Sequence, residues 1–228
     1  GLLYFVLRGT ASVFAACRDA GVRRVVYASS SSVYGDCATL PKKEGDEGRP
    51  LSPYALSKVA SEDLVRLMAK VHDFEPVVAV PHNIIGPRQK YDDPFRNVAA
   101  IFVNRMLQGK QPIIYGDGTQ KRCFSFVQDC IDPLLRMLDS PDVVGEVINI
   151  GPDEELVTIG QLAQTIADSL GFKLDPIYLP DRPQEVKEAN CSSDKARRLL
   201  GYRTSYTLQQ GLDEMIAWIK KRGAKPFD

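Results

Sequence analysis

The sequence predicts an α/β protein: a parallel sheet with a smaller mixed lobe attached. Three observations carry that expectation. Residues 2–81 run helix, strand, helix, strand; the two strand segments are unbroken apolar runs, as in strands buried on both faces; and the texture becomes loop-rich beyond Gly86.

In the first helix, Leu3, Val6, Leu7, Ala11, Val13, Phe14 and Cys17 recur at helical spacing over residues 2–20, and Gly21 follows as a C-cap. "RRVVYAS" (23–29) is a short buried strand that runs straight into a serine-rich loop. A polar loop with Gly35, Asp36 and Pro41 then leads to "SPYALSKVASEDLV", where Ser52 suits the N-cap and Pro53 the first helical position. "EPVVAVP" (75–81) is the second buried strand. "GPRQKYDDPFRN" reads as loop, 97–108 as helix, and "PIIYGDGTQKRCFSFV" as two short strands about an Asp117-Gly118 turn. Helices follow near 129–139, 158–170, 192–200 and 207–221. Thr158…Gln161 and Thr207…Gln210 have the spacing of capping boxes. Gly116-x-Gly118 is a turn, because strand-like residues follow it where a dinucleotide loop would open a helix.

Composition removes several function classes. Lys plus Arg and Asp plus Glu each number 29, so no overall field draws the chain to nucleic acid or an anionic membrane. Cys17, Cys37, Cys123, Cys130 and Cys191 are scattered with no C-x-x-C pair, and His72 and His82 are the only histidines. Reduced thiols, no metal site and a cytoplasmic location are the expectations. "GLLYFVL" is too short to span a membrane and lacks the features of a signal peptide.

The chemistry concentrates at Tyr54 and Lys58. Four residues apart on a helix, they share a face, so the ammonium favours the phenolate and prepares that oxygen to take a proton from an alcohol or sugar hydroxyl. Tyrosine and lysine also fall at this spacing in helices that do nothing. A second element sharpens the reading: Ser29, Ser30, Ser31 and Ser32 end a parallel strand, where α/β proteins bind ligands. One of these hydroxyls can bond the oxygen that Tyr54 deprotonates; the bland alternative is a flexible linker.

These residues also form a larger set. "VVYASSSSVYGD", "SPYALSK", "HNIIGPRQ", "YGDGTQKRCFSFVQD", "VINIG" and "RPQEV…SSDKARRLLGY" stand in the order seen in the extended short-chain dehydrogenase/reductase family. They are most similar to its NAD-dependent nucleotide-sugar epimerases of the UDP-glucose or UDP-N-acetylglucosamine 4-epimerase type, and the resemblance covers residues 8–221. It implies an incomplete Rossmann-like parallel sheet with a smaller mixed α/β substrate-binding lobe. Residues 1–85 would be the carboxyl-terminal part of the dinucleotide-binding domain, carrying the catalytic residues. Residues 86–228 would be mainly the nucleotide-sugar lobe, interleaved with the last sheet strands.

The implied chemistry is oxidation of C4 of a UDP-hexose or UDP-N-acetylhexosamine by bound NAD, rotation of the 4-keto sugar, and return of hydride to the other face. By similarity Tyr54 is the base, Lys58 assists it and holds the nicotinamide ribose, and Ser30 is the third catalytic residue, with Ser31 its substitute and a substrate contact. Ser29, Tyr54, Lys58, Pro81 and His82 are the implied cofactor contacts. Asn83 would touch the sugar diphosphate, Asn97 would be another substrate contact, Ile113 and Tyr115 would pack on the uracil, Arg122 and Arg182 would bind the diphosphate, and Glu185 the nucleotide ribose. Ala189 is the small residue that leaves room for an N-acetyl group. Val80 and Cys123 depart from the family's usual arginine and aspartate.

The resemblance further implies a strand, a G-x-x-G-x-x-G turn and about three β-α units of roughly thirty residues each ahead of residue 1. On that expectation the 23–28 strand is an unpaired edge, apolar helix surface lies exposed, and isolated 1–228 retains no NAD. The chain is then a fragment of a longer enzyme, a shortened product, or one half of a two-chain protein. Rival activities are a UDP-glucuronate decarboxylase, which "NIGPDEELVTI" also resembles, and a dehydratase. The latter would carry Asp-Glu where Ser31-Ser32 follow Ser30. Outside catalysis stands a nucleotide-sugar-binding protein. The 2–20 helix and the Tyr54 helix are the pair expected to build a homodimer in the full-length form.

Overall fold

The computed structural model describes residues 2–94, 96–182 and 186–226. In chain order its elements are α1 (Leu2–Asp19), β1 (Arg24–Ala28), α2 (Pro53–His72), β2 (Glu75–Pro81), β3 (Ile84–Ile85) and α3 (Val98–Leu107). There follow β4 (Ile113–Tyr115), β5 (Lys121–Arg122), β6 (Ser125–Phe126), α4 (Val127–Asp139), β7 (Val147–Ile150), β8 (Val157–Thr158) and α5 (Ile159–Leu170). The chain closes with β9 (Ile177–Leu179), β10 (Glu188–Ala189), α6 (Asp194–Leu200) and α7 (Leu208–Arg222). It divides into two compact units, 1–82 with 130–150 and 191–203, and 83–129 with 151–190 and 204–228. The break expected after residue 85 thus falls after His82, and the chain re-enters the first unit twice.

The first unit is built on a three-stranded parallel sheet in the order β1-β2-β7. Its middle strand is the most apolar: Val77, Val78, Ala79 and Val80 are buried, as are Ile148 and Ile150 on β7. Two-sided burial of β2 is why "EPVVAVP" carries no alternation. Helices α1 and α2 pack on one another, with Phe14 meeting Phe74 edge-on at 5.7 Å beside Val65. β1 pairs with β2 alone among the described residues. Apolar side chains also lie exposed on the helices, among them Tyr4, Phe5 and Val13 on α1, Leu67 and Val71 on α2, and Leu135 on α4.

The start of α2 is fixed locally, as its sequence predicts: the Ser52 hydroxyl accepts from Ala55 N at 3.1 Å and Pro53 opens the helix. The expected serine loop after β1 is instead a single 3-10 turn, Ser31–Tyr34, in which Ser30 Oγ accepts from Ser32 N and Val33 and Tyr34 are buried. Burying these two side chains offsets the entropy of ordering the loop. Tyr34 Oη donates to Asn149 Oδ1 at 2.6 Å, and Asn149 Nδ2 bonds the carbonyls of Lys42 and Ser192. This satisfied buried network ties the 36–50 loop and residues 191–193 to β7.

In the second unit α3, α5 and α7 bury Phe102, Leu162, Ile166, Leu212, Met215 and Ile219. Each such side chain is worth about 1.5–3 kcal/mol relative to exposure. Both expected capping boxes form, Thr158 with Gln161 and Thr207 with Gln210. The strands are short: β3 pairs parallel with β6, β4 parallel with β9, and β5 lies between parallel β10 and antiparallel β8. The segments flanking Asp117-Gly118 are therefore not partners of one another. The turn explains why. Asp117 Oδ1 accepts from the amide and hydroxyl of Thr119, and Gly118 O accepts from Gly160 N at 2.9 Å, which pulls the chain toward the start of α5. Gly116 and Gly118 adopt φ of 72° and 78°, so both serve turn geometry. Among the described residues, no helix is long and apolar enough to cross a membrane.

Candidate active site

Within the first unit, α2 and the carboxyl ends of β1 and β2 carry the expected catalytic and cofactor residues. Tyr54 stands in the first turn of α2 and is 39% exposed. Lys58, one turn on, donates from Nζ to the Ala28 carbonyl at 2.8 Å. The same Nζ lies 5.1 Å from the Tyr27 ring centre and 5.9 Å from that of Tyr54. Burial holds the Lys58 ammonium below the ordinary lysine range, and the Glu62 carboxylate opposes that shift.

The serines divide by environment. Ser29 is buried and its hydroxyl donates to Glu62 Oε1, while its amide continues the ladder to Ala79 O at 2.7 Å. Ser30 is extended (φ −160°, ψ 144°), and its Oγ accepts from Ser32 N at 3.3 Å and Ser32 Oγ at 3.1 Å. Ser31 opens the 3-10 turn. Pro81 ends β2, and the buried His82 donates its amide to Ile150 O at 3.3 Å. Glu62 was missed from sequence. Its signal was its spacing, four residues beyond Lys58 on the Tyr54 face. Burial raises its carboxyl above the usual range, against the lowering effects of Ser29 and Arg66.

The second unit holds a cavity of about 330 Å³ that gathers Asn83, Asn97, Ile113, Tyr115, Arg122 and Arg182 from the expected set. Asn83 adopts φ of 44° and donates to Cys123 O at 2.8 Å. Asn97 caps α3, with Oδ1 accepting from Ala99 N. Ile113 and Tyr115 are two apart on β4 and share a face, while Ile114 between them is buried on the other. The Arg182 guanidinium lies 3.9 Å over the Tyr115 ring centre.

Ala189 is outside this lining but pairs in register with Arg122 across β10 and β5. Glu185 falls outside the described residues. Sequence reasoning missed Arg96, Arg105 and Gln120 in the same wall. Among its described lining residues are four arginines and no carboxylate, a field suited to an anion. Cys123, next in sequence to Arg122, is buried: that burial, joined by Asp153, Glu155, Glu154 and Glu188, pushes its thiol up to about 12, away from the thiolate.

Comparison with known proteins adds to this geometry. The sequence profile of the NAD dependent epimerase/dehydratase family matches residues 3–151. Over 217 residues the chain is 33% identical to a UDP-glucose 4-epimerase of Mycolicibacterium smegmatis, covering 94% of this chain and 68% of that enzyme. It is 30% identical over 214 residues to a UDP-N-acetyl-alpha-D-glucosaminuronate decarboxylase of Bacillus cytotoxicus, covering 88% and 65% of the two chains. A solved structure of a Bacillus cereus UDP-glucuronic acid 4-epimerase, in complex with UDP-glucuronic acid and NAD, matches at TM-score 0.87 and 29% identity. The match spans 95% of this chain and 68% of that one. The fold is thereby the Rossmann-like α/β fold.

Proposed function

We propose, for a chain that belongs to the NAD dependent epimerase/dehydratase family, that it epimerises C4 of a UDP-hexose or UDP-N-acetylhexosamine. The observation that carries this reading is Lys58 Nζ fixed on a strand-end carbonyl 5.9 Å from the ring of a half-exposed tyrosine. Tyr54 takes the proton of the C4 hydroxyl, holds it while the 4-keto sugar turns over, and returns it to the same oxygen. Lys58 stabilises the negative charge that develops on the Tyr54 oxygen, and Ser30, or Ser31 in its place, donates a hydrogen bond to the reacting oxygen.

NAD, when bound, supplies the hydride acceptor for C4. The donor set of the first unit fits its nicotinamide ribose: an ammonium and a phenol one turn apart, beside the carboxyl ends of parallel strands where Ser29, Pro81 and His82 lie.

The cavity of the second unit takes the UDP moiety. Ile113 and Tyr115 form its apolar wall for uracil. Arg122 and Arg182 bind the diphosphate, whose bidentate oxygens match the guanidinium fork. Asn83 bonds the sugar diphosphate, Asn97 makes a further substrate contact, Glu185 binds the ribose, and Ala189 leaves space for an N-acetyl group. Self-association through α1 and α2 belongs to the same reading, given the exposed Phe5, Leu67 and Val71.

Incubation of the longer enzyme that the resemblance implies with NAD and UDP-glucose or UDP-N-acetylglucosamine, followed by proton NMR of the sugar, tests the proposal: the 4-epimer should appear. UDP binding by calorimetry with no exchange of either sugar would favour a binding protein. The decarboxylase relative supports a second reading, decarboxylation of a UDP-uronate. Carbon dioxide release from UDP-glucuronate would favour it.

A further inference from the structure

Glu62 is 3% exposed, and no expectation drawn from the sequence used it. Its carboxylate accepts from the Ser29 hydroxyl and from Arg66 Nη2, the latter at 3.1 Å. One turn earlier on the same helix face, Lys58 Nζ donates to the Ala28 carbonyl at 2.8 Å. Two side chains of α2 thus grip two consecutive residues at the end of β1, Ala28 and Ser29. From β2, the Ala79 carbonyl takes the Ser29 amide at 2.7 Å. The next residue is Ser30, the N-cap of the 3-10 turn.

A buried carboxylate is costly unless it is bonded or paired, and a packing role alone would be filled by leucine. What the carboxylate adds is an acceptor for the Ser29 hydroxyl and a negative charge one turn from the Lys58 ammonium. We propose that Glu62 is a positioning residue: it clamps Ser29, and its charge holds the Lys58 ammonium on the Ala28 carbonyl, so that the ammonium and the Ser30 hydroxyl are set by one anchor. The groups facing Glu62 are Lys58 and Arg66 from α2, Tyr27 from β1, Ser29 just beyond that strand, and Glu47 from the loop before α2. Burial acts against the charged form of both Lys58 and Glu62, and their opposite charges offset part of that cost. The catalytic consequence rests on the proposed function; the clamp does not.

The experiment is an NMR titration of the Lys58 side chain, labelled with carbon-13 and nitrogen-15, in the unliganded chain and in its Glu62→Gln and Glu62→Leu variants. In Glu62→Gln the charge is gone and the acceptor kept, so the Lys58 midpoint falls by about one pH unit while the Ser29 and Ser30 amide resonances stay near their wild-type positions. In Glu62→Leu both the midpoint and the amides move. A Glu62→Gln chain whose Lys58 titrates as in the wild type overturns the proposal, whether or not the leucine variant folds. Because the titration needs neither cofactor nor substrate, absence of sugar exchange would count against the C4 chemistry and leave the clamp standing. Where exchange is seen, Glu62→Leu lowers kcat about ten-fold with KM for the UDP-sugar little changed, and Glu62→Gln recovers part of it.

Discussion

The Lys58 ammonium is tied to the Ala28 carbonyl at 2.8 Å, and its nitrogen lies 5.9 Å from the centre of the Tyr54 ring. The charge is therefore held by the backbone of β1 and not by the phenol. Removing the Tyr54 hydroxyl leaves the ammonium where it is, so a change at Tyr54 reports on the phenol alone.

The Arg182 guanidinium carbon lies 3.9 Å from the Tyr115 ring centre, and lysine lacks the planar group that can stack on a ring. Arg182→Lys and Arg182→Ala should both weaken UDP binding by about ten-fold or more, roughly 1.4 kcal/mol, as read by calorimetry. An unchanged Kd in the alanine variant would remove Arg182 from the nucleotide site.

The burial that raises the Glu62 carboxyl has a signed effect on stability. Between its ordinary value of 4.5 and its higher folded value, the native state binds more protons than the unfolded chain. Glu62 thus contributes most below pH 4.5, and that contribution fades as pH rises through the folded pKa. Glu62→Gln does not titrate, so its stability relative to wild type should climb over this window in urea unfolding at a series of pH values. A difference that stays flat with pH contradicts the assignment.

Gly35 closes the 3-10 turn that follows Ser30, at φ 51°, and a Cβ there would lie 2.0 Å from the Arg49 carbonyl oxygen. Backbone cannot move aside as a flexible side chain can. Gly35→Ala should cost more than about 2 kcal/mol in equilibrium unfolding. A loss below about 0.5 kcal/mol would show that the loop yields freely.

What could be read from the sequence was local. The N-cap at Ser52-Pro53, both threonine–glutamine capping boxes and the two apolar strands depend on residues within a few positions of one another. The parallel arrangement followed from their alternation with helices. The two-residue strands of the second unit escaped detection because long-range pairs define them: Ala189 finds Arg122 from 67 positions away, as in the neighbouring contact of Cys123 with Asn190. The turn at 31–34 was hidden for a related reason. Its ordering comes from burial of Tyr34 against Asn149, 115 residues distant. Glu62 was visible as spacing yet ambiguous, since a glutamate one turn after a lysine is ordinary on a solvated helix face, and only burial distinguishes it.

On the proposed function, the Tyr54 oxygen carries the proton in C4 epimerisation. The rate of interconversion of a UDP-hexose by Tyr54→Phe, measured beside the unsubstituted protein with NAD present, tests it most directly. Tyr54→Phe should be slower by at least about 10²-fold with UDP affinity retained. Equal rates in the two proteins would contradict it.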